Sequence, residues 1–409
     1  MRWVIVSIIL ALLVVRPVLI LFFSFFSSGN ETLNYLLDTV LLDYTINTIY
    51  LILLTSFFAL LFGVFPAWVV SNNSFKGRSF FDVVLYLPLA IPSYIMGYTY
   101  IEILSFTGPI QTFVRYNTPL LSDFFNQDYL QVEVLGIILG LALYPYIYTA
   151  SRISFSMIGS NYLNISKNLG LKNKGTFFKV VLPLSRPAIF SGLFLVIMEV
   201  LNEYGAVKYF GVNTYTAGIF RSWYSMGDVE TASLLAVLLF FIVVFFFSIE
   251  RYLNARYKFN YSPNTKKFKN ESPSFKNRII IHLVCLIPII LGFLIPVLFI
   301  INNVIYEFSR IDFEKVFNLT TNTVIISLIS SVIIVIIAVY FQFLKRILKN
   351  RTITFFNEVI SLTYALPGAV IGLSLILLFT SYPFENELLI GSFGILVYAY
   401  VIRYMAVGI

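Results

Sequence analysis

The chain has 409 residues, of which 59% are hydrophobic and 12% charged, with a mean hydropathy of +0.87. Average soluble domains carry about 25% charge, so this composition excludes a soluble enzyme. The single cysteine, Cys285, excludes a disulfide framework or thiolate cage within the chain, and the net charge of +8 does not point to nucleic acid, because the basic residues sit between apolar runs.

Runs long enough to cross a bilayer as helices, about 20 residues each, fall at 3–26, 44–70, 82–104, 131–151, 187–206, 230–250, 279–303, 319–344, 355–380 and 387–408. The alternating ten-residue pattern of a β-barrel is missing, so the expected class is an all-α polytopic membrane protein with about ten transmembrane helices. The first run has no small-residue cleavage site and reads as an uncleaved helix. Arg16 inside it is costly in lipid and must face the bundle or snorkel, with Glu199 or Glu203 as candidate partners. His282, three residues before Cys285, reads as an ordinary interfacial histidine rather than half of a metal site.

Charge sets the expected orientation. With Arg2 inside, 21 of the 28 basic residues fall on the same side, while the other side carries mostly acids such as Glu31, Asp43, Asp128, Asp228 and Glu314. The positive-inside rule then places the N-terminus in the cytoplasm. Residues 257–278 are rich in Asn, Ser, Pro and Lys and read as a solvated cytoplasmic linker.

That linker divides an internal repeat. Asn47-Thr48 recurs as Asn322-Thr323, Lys76 as Arg351, Phe80-Phe81 as Phe355-Phe356, Pro92 as Pro367 and Gly97 as Gly372, each pair 275 positions apart. Gly140, Tyr144 and Tyr146 match Gly394, Tyr398 and Tyr400 at a separation of 254. Both copies start from one side, which makes the duplication parallel rather than inverted. The expected organisation is a first half over 1–256 with six helices, the linker over 257–278, and a second half over 279–409 with four. Counterparts of Gly170 and Pro183 would fall past Ile409, so the sequence reads as a truncated, split or frameshifted version of a longer protein.

The polar interruption at 161–187, NYLNISKNLGLKNKGTFFKVVLPLSRP, is the main functional candidate. From Arg152 to Arg186 there are six basic residues and no acid. A short helix over Tyr162–Leu169 closed by a left-handed Gly170, and a second over Thr176–Leu182 with Thr176 as N-cap, would put Leu171 at an apolar tip among lysines. With the apolar set Phe177, Phe178, Val181 and Leu182, this is suited to docking in a groove on a soluble subunit. The chain has no P-loop and no catalytic or metal-ligand constellation, so any ATPase must sit on a partner.

The spacing of Gly170, Val180, Leu182 and Pro183 resembles the Glu-Ala-Ala loop of binding-protein-dependent ABC importer permeases, where a Gly precedes Ile-x-Leu-Pro by ten residues. Asn164, Ile165 and Ser166 stand at the Glu-Ala-Ala positions. Residues 198–223, MEVLNEYGAVKYFGVNTYTAGIFRSW, resemble the signature of ferric-iron ABC permeases, and ALPGAVIGLSLIL at 365–377 resembles the corresponding second-half helix. The resemblance implies a type I ABC importer permease (MetI-like) fold, internally duplicated, with the last two helices missing. It implies docking of an ABC ATPase subunit dimer on Asn164, Ile165, Ser166, Gly170, Leu171, Lys172, Leu182 and Pro183. It also implies a periplasmic substrate-binding protein as partner, contacted by Tyr209, Phe210, Tyr215 and Trp223, and a place in the bacterial inner membrane. No cofactor or resident metal is expected. Glu199, Asn202 and Glu203 share a predicted helical face with Tyr204 beside them, and are read either as a cation pathway or as a structural pair with Arg16 or Arg403. The rival functions are an ABC permease for another solute (thiamine, polyamine or an inorganic anion) and a proton-coupled secondary transporter using Glu199 and Glu203.

Overall fold

Long apolar stretches without a breaker become uninterrupted helices, and prolines decide where the others bend. In the computed structural model, which describes all residues except 1, 28–29, 119–121, 159–161, 163–164, 167, 257–274, 349–350, 362–365, 381–391 and 409, seven helices are long and apolar enough to span a membrane. They are Trp3–Phe23, Leu41–Asn72, Val132–Met157, Lys174–Asn202, Val229–Leu253, Asn277–Arg310 and Phe313–Leu348.

The predicted 82–104 segment is not one straight helix. Its apolar stretch lies across Arg78–Ala90 and Ser93–Asn117, which meet at 89° and together make a possible eighth span. Pro92 forces the break, since its ring disfavours helical backbone at the residue before it: Ile91 is extended at φ −104°, ψ 117°, and Pro92 itself, at φ −55°, ψ 137°, precedes the next helix. The second copy is also not continuous over 355–380. Arg351–Ser361 and Gly368–Thr380 are separate helices, the latter beginning just after Pro367. Gly368–Thr380 and Phe393–Met405 are apolar but shorter than the seven.

Contacts divide the chain into two compact units that do not follow the sequence halves. One comprises 1–42, 215–245 and 308–409, the other 43–214 and 246–307. In the first, the Arg2–Ser27 helix packs against Arg351–Ser361 and Gly368–Thr380. The Tyr340 hydroxyl donates to the Trp3 carbonyl at 2.8 Å, and Tyr398 donates to that of Leu13. Phe22 meets Phe240 edge-on at 5.1 Å.

The second unit is built around Val132–Met157, in which Tyr144, Ile147 and Tyr148 are fully buried. Small residues let its neighbours approach closely. A Cβ on Gly140 would stand 2.5 Å from the Phe58 Cβ, and one on Gly192 would stand 3.1 Å from the Ile147 Cα. The Asn277–Arg310 span joins this unit from beyond the linker. Its widened turn at Ile290–Leu294, between Pro288 and Pro296, brings Gly292 to the same core: a Cβ there would meet the Leu141 carbonyl at 3.1 Å. Tyr100 donates to the Leu291 carbonyl in that turn.

Candidate functional site

The 161–187 loop begins where the Val132–Met157 helix ends. Helical backbone is present at Tyr162, Ile165, Ser166 and Asn168, and the Leu169 N–H bonds the Ile165 carbonyl at 3.0 Å. Gly170 then takes a left-handed φ of +80°, and the Leu171 N–H reaches back to the Ser166 carbonyl at 3.0 Å. This six-to-one bond across a left-handed residue is a Schellman closure, which satisfies an otherwise orphaned helix-end carbonyl.

The loop is pinned from inside. The hydroxyls of Ser166 and Thr176, both buried, lie 3.0 Å apart and tie the first helical turn to the second. Ser166, 2% exposed, is therefore a strut of the loop, which corrects its assignment to the docking surface. Thr176 is likewise not an N-cap. Helix starts at Asn173 and continues through a π-helical stretch, Phe177–Val181, into Leu182–Asn202. Pro183 does not end the second helix as expected. Its ring conflicts with the carbonyl four residues back, at Lys179, and the widened π turn accommodates it.

This continuity redistributes the apolar residues. Phe177 and Val181 are buried, Phe177 lying 5.2 Å from the Trp68 ring and 6.3 Å from that of Phe155. Leu171 is half-buried and folds over Gly175, whose Cβ would meet it at 3.3 Å, so it is not the exposed tip. The apolar groups at the surface are instead Tyr162, Ile165 (56% exposed), Leu169 (76%) and Phe178. Spacings of three and four put Tyr162, Ile165 and Leu169 on one helical stripe. Lys172, Lys174, Lys179 and Arg186 are exposed, and Leu182 and Pro183 are half-buried. Asn164 lies outside the described residues.

Arg152, counted with the loop by charge, belongs to the helix before it. Its guanidinium holds Asp82 with two bonds of 3.0 Å, and the Tyr148 hydroxyl donates to the same carboxylate at 2.8 Å. This clamp joins the Arg78–Val84 helix to Val132–Met157 next to the loop. Sequence reading missed it; the available signal was Asp82, an acid inside an apolar run.

At the other end of Leu182–Asn202 the expected helical face of Glu199, Asn202 and Glu203 is not completed. The helix stops at Asn202, whose amide donates to the Met198 carbonyl at 2.8 Å, so Glu203 and Tyr204 lie beyond it. Glu203 accepts the Ser93 hydroxyl with one oxygen and the Ala206 N–H, at 2.9 Å, with the other. It thereby caps the short Gly205–Tyr209 helix and ties it to the helix that starts after Pro92. Gly205 fits against Tyr94, where a Cβ would come within 2.7 Å of the Tyr94 Cβ. Glu199 and Asn202 remain on the helix, both half-buried.

Of the four aromatic residues expected to face a soluble partner, Phe210 and Tyr215 are each 4% exposed. Their rings are part of the interior, which removes them from any surface contact. Tyr209 is exposed and stacks edge-on with Tyr98 at 5.5 Å, and Trp223 is half-buried.

Comparison with known proteins matches residues 59–259 to the binding-protein-dependent transport system inner membrane component family. The segment includes the loop, the Asp82–Arg152 clamp and the Glu203 cap. The Fe(3+)-transport system permease protein FbpB 2 of Haemophilus influenzae is 25% identical over 364 residues, covering 88% of this chain and 67% of that protein. The molybdenum transport system permease protein ModB of Haemophilus influenzae is 30% identical over 152 residues, 37% of this chain and 63% of its own length. The sulfate transport system permease protein CysT of Salmonella typhimurium is 28% identical over 166 residues, 39% and 54% respectively. The alignments thus span between about half and two thirds of each of these relatives.

Proposed function

We propose, from the match of residues 59–259 to the family of inner membrane components of binding-protein-dependent transport systems, that this chain is the permease subunit of an ATP-binding-cassette importer in the bacterial inner membrane. The 161–187 loop faces the cytoplasm and receives a separate ATPase subunit, and solute arrives from a periplasmic binding protein. The observation that carries this reading is the exposed stripe of Tyr162, Ile165 and Leu169, closed by Gly170 and bordered by exposed lysines. An apolar centre with a polar rim is the anatomy of a protein interface. Rocking of the ATPase dimer would be passed through the rigid Ser166–Thr176 tie into the Lys174–Asn202 span.

Ferric iron is the favoured solute, supported by the iron-transport relative that covers 88% of this chain. An inorganic oxyanion is the second reading, supported by the molybdenum and sulfate relatives over shorter stretches. Both are tested by one experiment. Cells producing the chain with its ATPase and binding protein are given labelled ferric iron, sulfate or molybdate, and Leu169→Asp is run beside the wild type. Uptake of iron alone, lost in Leu169→Asp together with co-purification of the ATPase, is expected. Oxyanion uptake overturns the substrate, and an ATPase that still co-purifies with Leu169→Asp overturns the docking surface.

A further inference from the structure

Within the second unit, three helix ends meet beside the loop: the end of Leu41–Asn72 and the starts of Lys174–Asn202 and Asn277–Arg310. Between them lies an open groove of about 510 Å³. Its composition is graded along the helices. Asn72, Asn73, Lys174 and Asn277 line it at the very ends of the three spans. One to two turns further in, where the spans turn apolar, its walls are Phe65, Trp68, Ile280 and Val284. The polar mouth therefore sits at interface depth and the apolar part at acyl depth.

The groove is open and within the size range of small-ligand sites. Its walls offer a cation and amide groups at one end and continuous hydrocarbon at the other. An amphiphile with an anionic head is the complementary shape and charge, and basic pockets between spanning helices on the cytoplasmic side take such lipids.

We infer that this groove is a binding site for an anionic phospholipid, its phosphate held by Lys174 and the terminal asparagines and one acyl chain laid against Trp68, Phe65 and Val284. Since Lys174, Phe177 and Phe178 belong to the loop and line the same groove, the bound lipid forms part of the support of the docking surface. The inference rests on the reading of this end of the bundle as the cytoplasmic one.

Trp68 supplies the probe. The chain has three tryptophans, so replacing Trp3 and Trp223 with Phe leaves Trp68 alone in the full-length protein. This protein is reconstituted in phosphatidylcholine vesicles carrying acyl-brominated phosphatidylglycerol or, in a parallel set, acyl-brominated phosphatidylcholine. Nonspecific annular lipid quenches Trp68 equally from either source. A site with one basic anchor should favour phosphatidylglycerol about fivefold, the equivalent of one lysine near an anionic surface. Lys174→Gln should bring that ratio close to one. Ile280→Phe, at an exposed position that fills the groove, should reduce quenching by both lipids. A wild-type ratio of one, or a ratio unchanged in Lys174→Gln, overturns the inference. Because this measurement needs no ATPase, its failure leaves the docking reading standing, and loss of ATPase binding leaves the lipid result intact.

Discussion

Gly170 allows the proposed docking surface to be tested by backbone geometry alone. Its φ of +80° lies where L-residues are disfavoured, yet an added Cβ would meet nothing within 4 Å. Any substitution effect therefore comes from the backbone, not from a clash. Placing an L-residue in the left-handed region costs roughly 1–2 kcal/mol, which converts to about 5- to 30-fold in the population of the closed loop. Asn tolerates this region well, and a β-branched residue fares worst. The expected order of affinity for the ATPase subunit is wild type, then Gly170→Asn close behind, then Gly170→Ala weaker by up to that factor, and Gly170→Val at or beyond it. Affinity is measured with the purified chain in detergent, and coupled ATP hydrolysis with the assembled transporter, membrane insertion being unchanged in all variants. Wild-type affinity and coupling in Gly170→Val would refute the role of the turn. If Gly170→Asn were as damaging as Gly170→Val, bulk rather than φ would be responsible, against the open space around this residue.

Other substitutions examine the surrounding supports. Asp82→Asn removes a carboxylate shared by Arg152 and Tyr148. In a double-mutant cycle with Arg152→Met, thermal unfolding should give a non-additive term of about 1.5–3 kcal/mol, and additivity would mean the clamp contributes nothing. Glu203→Ala strips the acceptor from Ser93 and from the Ala206 N–H. It should destabilise by about 1–3 kcal/mol, whereas Glu203→Gln, which keeps a carbonyl acceptor, should stay near wild type. Equal losses in both would show that the charge, not the cap, matters. Gly140→Ala meets Phe58 at 2.5 Å and should cost about 1–3 kcal/mol, while the repeat-equivalent Gly394→Ala, whose nearest neighbour is 3.6 Å away, should be close to neutral by the same unfolding assay.

Much of the membrane architecture was legible because a bilayer leaves the chain few options. Apolar length and proline position marked the segments, and the matched prolines at 92 and 367 mark breaks at both places. The left-handed turn was legible at Gly170, since glycine among good helix formers signals a helix end. What escaped notice depends on contacts distant in sequence. Nothing local reveals that Arg152 bonds Asp82, 70 positions away, or that Ser166 turns inward to meet Thr176. Phe177 and Phe178 are adjacent and identical in type, yet one is buried and the other exposed. Helical phase decides that, and the π turn before Pro183 shifts the phase in a way periodicity does not register. Glu203 was placed on a helical face because no proline or glycine interrupts the run from Glu199 to Tyr204. The break follows from Gly205 fitting against Tyr94.

The packing of the first helix has a consequence for synthesis. The Arg2–Ser27 helix finds its neighbours in Arg351–Ser361 and Gly368–Thr380, which leave the ribosome more than three hundred residues later. At bacterial and eukaryotic translation speeds of about 5–20 residues per second, that delay is roughly 20–70 s. For that interval the earliest helix must wait in the lipid without its final partners, stable because its own backbone hydrogen bonds are closed. Its half-buried Arg16 spends the same time without these neighbours, so insertase or lipid headgroups have to shelter that charge until the two later helices arrive. The order of emergence thus leaves the Arg2–Ser27 helix open to membrane quality-control proteases for that whole interval.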